Sequence, residues 1–105
     1  MPRPTPTEAR VTGHTLLSPR VALLSFAAAD LVGRAFTPGD KVKLAAPGER
    51  PKSYTPARFD AETGTMDIIF HLHGNGPTAL WAAAEPVGDV VAVFGPARSL
   101  RPVPF

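Results

Sequence analysis

Thr65-Met66-Asp67-Ile68-Ile69-Phe70-His71-Leu72-His73-Gly74-Asn75-Gly76-Pro77-Thr78 is the stretch that decides the fold. From Thr65 to His73 the apolar positions alternate, so Met66, Ile68, Phe70 and Leu72 share one face of a strand. Asp67, Ile69, His71 and His73 share the other. Gly74, Asn75 and Gly76 then turn the chain. Pro77 suits a first helical position, because the N–H it lacks would have no partner there. The helix is expected from Pro77 to about Glu85, where Pro86 closes it. The turn Pro86-Val87-Gly88-Asp89 leads into Val90 to Phe94, a wholly apolar strand expected deep in the core and ended by Gly95-Pro96.

Upstream, Arg10 to Leu17 and Arg20 to Ala27 form a hairpin candidate about Ser18-Pro19. Ala27 to Ala35 suggests a short helical turn, limited by Gly33 and by Pro38-Gly39-Asp40. Lys41 to Ala45 alternates, with Val42 and Leu44 facing the core and both lysines facing out. Lys52 to Phe59 reads as one further strand, and Asp60 to Gly64 as the turn before Thr65. Residues 1–8, rich in Pro and Thr, are expected to be a disordered tail and 9–105 a single domain. About six strands and one short helix predict an all-β fold, an antiparallel barrel that closes to remove its edges.

Composition narrows the function. The 105 residues contain no cysteine, which excludes disulfides, thiol nucleophiles and Cys-type zinc sites. No apolar run approaches the ~20 residues of a membrane span, and the N-terminus lacks a signal peptide's apolar stretch, so a cytoplasmic protein with no membrane partner is expected. The net charge of +2 comes from scattered Lys and Arg, which gives no reason to expect a nucleic-acid partner. There is no nucleophile elbow for a hydrolase. His71 and His73 make an H-x-H pair, but no third metal ligand is evident.

Two segments carry chemistry. In Lys52-Ser53-Tyr54-Thr55-Pro56, a strand would put Lys52 and Tyr54 on one side and Ser53 and Thr55 on the other. A planar cofactor could stack on Tyr54 while Lys52 meets a phosphate as a point charge. An ordinary strand with a core aromatic would look the same. In His71 to Thr78, a helix start preceded by glycines is a natural seat for an anion. A glycine turn with Pro at the first helical position would serve equally without a ligand.

Together with Pro38-Gly39-Asp40, Arg58-Phe59-Asp60, His73-Gly74-Asn75-Gly76-Pro77, Trp81-Ala82, Gly88-Asp89 and Gly95-Pro96, the chain from about Arg10 to Leu100 resembles the flavin-binding domain of the siderophore-interacting protein family. That family is a branch of the ferredoxin-NADP reductase-like flavoproteins. The resemblance implies a six-stranded Greek-key barrel holding FAD noncovalently, with no residue acting as acid, base or nucleophile. In the family the first motif is usually Arg-x-Tyr-Thr, which carries stacking to Tyr54, the approach to flavin N5 to Thr55 and the phosphate to Lys52. It places His71, His73, Gly76, Pro77 and Thr78 along the pyrophosphate, and gives Trp81 the role of packing the helix on the barrel.

Three departures qualify these roles. Lys52 keeps the charge of the usual arginine but loses its bidentate geometry. Ala57 and Ala79 stand where the family often has arginine and serine, with Arg58 and Thr78 the neighbours able to compensate. Finally, the family continues into a nicotinamide-binding domain, and no G-x-G-x-x-G fingerprint occurs here. The expectation is the flavin module of a ferric-siderophore-type reductase, served by a separate NAD(P)H- or ferredoxin-dependent donor. The rival readings are a barrel that binds flavin or another ligand without redox turnover, as in a cyclase or accessory protein of a biosynthetic pathway, and an interaction module that closes an exposed cavity as a homodimer.

Overall fold

The computed structural model describes residues 7–72 and 76–97. Seven strands and one helix follow in order: β1 (Thr7–Ser18), β2 (Val21–Ala27), β3 (Lys41–Ala45), β4 (Lys52–Tyr54), β5 (Arg58–Asp60), β6 (Thr65–His71), α1 (Pro77–Ala83) and β7 (Val90–Ala97). All pairings are antiparallel, in the order β4-β3-β7-β1-β2-β6-β5.

The expected six strands become seven because Lys52 to Phe59 is not one strand. Proline cannot donate to a ladder, and at Thr55-Pro56 the chain leaves β3 and moves to β6. β4 and β5 therefore stand at opposite ends of the strand order with only three residues, 55–57, between them. That connection forces the sheet to curl until its ends meet. The Tyr54 and Phe70 ring centroids lie 4.8 Å apart across the seam, and the Ala57 N–H donates to the Asp67 carbonyl at 2.8 Å, which carries the connection onto β6. This is the barrel.

The alternation expected for β6 is observed: Met66, Ile68 and Phe70 are buried, while Ile69 and His71 are exposed. The same period-two pattern brings Leu24, Phe26, Val42 and Leu44 into one core. The last strand differs from expectation. Val91 and Val93 are buried, but Val90 is 46% exposed, so β7 is covered on one face only. It also runs past Gly95, whose φ of 102° accompanies a register shift against β3.

β1 begins at Thr7, so the last two residues assigned to the tail are paired with β7, and Thr7 is buried. The remainder of that tail lies outside the described residues. The expected helical turn after β2 is a 3-10 turn at Ala29–Leu31 that buries Leu31. Gly64, at φ 70°, lies against it, accepting from the Ala28 N–H at 2.9 Å. Helix α1 stops at Ala83, short of Glu85, and its end is tied to β1 by the His14 Nε2–H, which donates to the Ala82 carbonyl at 2.9 Å.

Candidate functional site

In the β3–β4 ladder Val42 faces Tyr54 and Leu44 faces Lys52. Directly paired residues project to the same side of a sheet, and Val42 and Leu44 are buried. Tyr54 and Lys52 thus belong to the inner face, while Ser53, paired with Lys43, belongs to the outer one. Because β4 is an end strand, these inner-face side chains border the seam instead of disappearing into the core. Tyr54 is half-buried, and burial raises its phenol pKa above the ordinary value. It stays neutral across the physiological range.

β6 closes the other side of the seam and α1 begins beyond it. Between them lies an open cleft of about 360 Å³ lined by Lys52, Tyr54, Ile69, Phe70, His71, Gly76, Thr78 and Ala79. This volume falls within the roughly 300–1,000 Å³ of small-molecule sites. A Cβ added at Gly76 would meet nothing within 4 Å, so the mouth is open at the helix start. No carboxylate is among the described lining residues, and Lys52 supplies a cation. An aromatic wall, a positive rim and small residues opposite suit a ligand with a planar ring and an anionic group. FAD has both, and the residues present fit it.

The structure brings together five of the residues singled out in the sequence: Lys52, Tyr54, His71, Gly76 and Thr78. Thr55 and Pro77 are exposed and lie beside the cleft without lining it, and His73 is outside the described residues. Ile69 and Phe70 were missed. In the sequence Phe70 is marked only as one of four apolar residues on a strand face; it is buried, and its ring also backs Tyr54 at the seam. Its one sequence signal was its position three residues before His73, the end of an alternating strand that leads into the glycine turn.

Arg58, the neighbour of Ala57, is engaged with Asp67 in this structure. Its Nε donates to Asp67 Oδ2 at 2.9 Å, and it does not line the cleft. The Ser25 hydroxyl donates to the same carboxylate at 2.8 Å. The bond from Arg58 holds the Asp67 carboxyl below the usual range, aided by Ser25 and opposed by partial burial, and raises the guanidinium pKa in return. A second depression, over Lys43, Arg50, Pro51 and Phe94, is larger at about 490 Å³ but more open, and no residue of α1 lines it.

A family described as the siderophore-interacting FAD-binding domain matches residues 48–100. The fold is similar to that of a siderophore utilization protein from T. fusca, with 29% identity and a TM-score of 0.74 over 87% of this chain and 44% of that one. It is similar as well to the siderophore-interacting protein SipS from Aeromonas hydrophila, with 26% identity and a TM-score of 0.77 over 96% and 46%. A ferredoxin NADP+ reductase from Neisseria gonorrhoeae, solved with FAD and NADP, shares the fold at 17% identity and a TM-score of 0.70 over 88% and 37%. No curated protein matches significantly. The chain spans less than half the length of these solved structures.

Proposed function

Because the chain belongs to the siderophore-interacting FAD-binding domain family, and is an FAD-binding domain, we propose that it serves as the flavin module of a ferric-siderophore-type reductase. The observation that carries this reading is the cleft itself, where the half-buried Tyr54 ring forms one wall and Lys52 the rim, opposite the helix start. When bound, FAD supplies the conversion between two-electron donors such as NAD(P)H and one-electron acceptors such as Fe(III). Tyr54 offers the stacking face, and its neutral phenol keeps negative charge away from the ring. Lys52 attracts the phosphates as a point charge. His71, His73, Gly76, Pro77 and Thr78 are assigned along the pyrophosphate, and Thr55 to the flavin edge beside Tyr54.

The electron donor is assigned to a separate module or protein, which NAD(P)H or a ferredoxin would serve, because no G-x-G-x-x-G occurs in the sequence. A cytoplasmic setting suits that donor supply; no helix among the described residues is long and apolar enough to cross a membrane. A second reading, flavin binding without turnover, draws on Ala79 in the cleft and on the commitment of Arg58 to Asp67. Both leave the cofactor fewer polar contacts.

One experiment separates the two. FAD is titrated into the purified chain, following absorbance at about 450 nm, with FMN as the comparison. The loaded protein is then reduced anaerobically and mixed with a ferric siderophore and a ferrous chelator. Reoxidation with formation of the ferrous complex supports the reductase module. A protein that binds FAD but stays reduced establishes the second reading.

A further inference from the structure

We infer that Trp81 and Asp89 are positioning residues for the ligand-facing ring of Tyr54, acting through Phe70. The inference rests on the reading that a flavin stacks on Tyr54, and adds residues that do not line the cleft.

The argument begins at the turn before β7. The Asp89 carbonyl accepts from the Val11 N–H at 2.9 Å, its N–H donates to the Pro86 carbonyl at 3.0 Å, and the neighbouring Gly88 N–H donates to the Val11 carbonyl at 2.8 Å. The Asp89 backbone is therefore riveted to β1, next to the register shift between Val11 and Gly13. From this fixed base the carboxylate accepts the indole N–H of Trp81 at 2.9 Å. An indole with its only polar atom engaged has a preferred ring orientation. Trp81 meets Phe70 edge-on, with centroids 6.0 Å apart and an interplanar angle of 70°.

Phe70 transmits this geometry. It is 3% exposed, and its ring centroid lies 6.3 Å from that of Phe26 and 4.8 Å from that of Tyr54, at 44° to each. A ring buried at interior packing density cannot tilt without displacing its neighbours. Releasing the indole removes the edge contact that sets Phe70, and Tyr54 loses its backing at the cleft. Trp81 is thus more than a wedge between helix and barrel.

The chain has one tryptophan and one tyrosine, so their spectra report on these two residues alone. The test compares the full chain with Asp89→Ala and Asp89→Asn, measuring FAD and FMN dissociation constants, melting temperature and the near-ultraviolet circular dichroism of the flavin-free protein. Asp89→Ala should weaken both flavins by the same factor, about three- to tenfold, because the ring they share is what Tyr54 touches. It should also reduce the tryptophan dichroism bands. Asp89→Asn, which keeps a carbonyl acceptor, should restore both. In a Tyr54→Leu background, Asp89→Ala should cost nothing further. Should Asp89→Ala fold poorly, Trp81→Phe removes the same N–H while keeping a ring, and the same losses are expected. Unchanged flavin affinity in Asp89→Ala or Trp81→Phe, with the parent chain binding flavin, overturns the positioning role. A parent chain that binds no flavin overturns the functional reading itself.

Discussion

Lys52 offers one ammonium on a flexible stem, where an arginine would offer a planar fork matched to phosphate oxygens. Lys52→Arg is therefore expected to tighten FAD binding several-fold, and Lys52→Met to weaken it and flatten its dependence on salt; titrations at low and high ionic strength check both. Tyr54→Leu should cost about three- to tenfold in the same measurement. Asp67 allows a separate test. Its carboxyl is held below the usual range, so it contributes stability above the ordinary carboxylate pKa of about 3.9 and loses it as pH falls through the lowered value. Asp67→Asn should lower the melting temperature by a few degrees at neutral pH and make progressively less difference as the pH falls through the lowered carboxyl value. Lys52 and Tyr54 were legible as a pair because a two-residue period fixes which side chains share a face. Arg58 was not, since its partner Asp67 is brought to it by a ladder between β5 and β6 whose register no local pattern specifies.

Among the elements, the β5–β6 turn depends most on one residue. Gly64 has a positive φ, and a Cβ there would collide with the Ala28 carbonyl and Val32. Gly64→Ala is expected to destabilise the protein by about 2–4 kcal/mol in chemical denaturation, adding backbone strain to overpacking. β6 and α1 were legible because each carries its own punctuation, alternation in one and flanking prolines in the other. The division of Lys52 to Phe59 was not foreseen. Pro56 was visible, but a lone proline can also sit at a strand edge, and only the closure of the sheet decides between these. Val90 to Phe94 failed differently: a run of five apolar residues carries no period, so the exposed face at Val90 left no trace in the pattern.

At the scale of the molecule, a ligand that binds only the folded state raises its stability, by about 2.7 kcal/mol at a hundredfold excess over the dissociation constant. FAD should therefore shift the melting temperature upward, and FMN at equal concentration less, if the cleft holds both the ring and the pyrophosphate. Scanning calorimetry with each flavin checks this. An equal shift from both would place the gain in the ring alone. The barrel was legible as a class because many short strands with Gly and Pro between them must hide their edges. Where it opens was not, because the seam is set by the pairing of distant segments.

The division at Pro56 also bears on how the protein behaves in crowded company. It leaves the two ends of the strand order only three residues long, at β4 and β5. An unsatisfied strand edge is an invitation to another chain, and its strength grows with the number of hydrogen bonds it can offer in register. Three residues offer too few to hold a stranger's strand. At the seam, where the barrel opens to admit a ligand, the end strands thereby present little template to another chain.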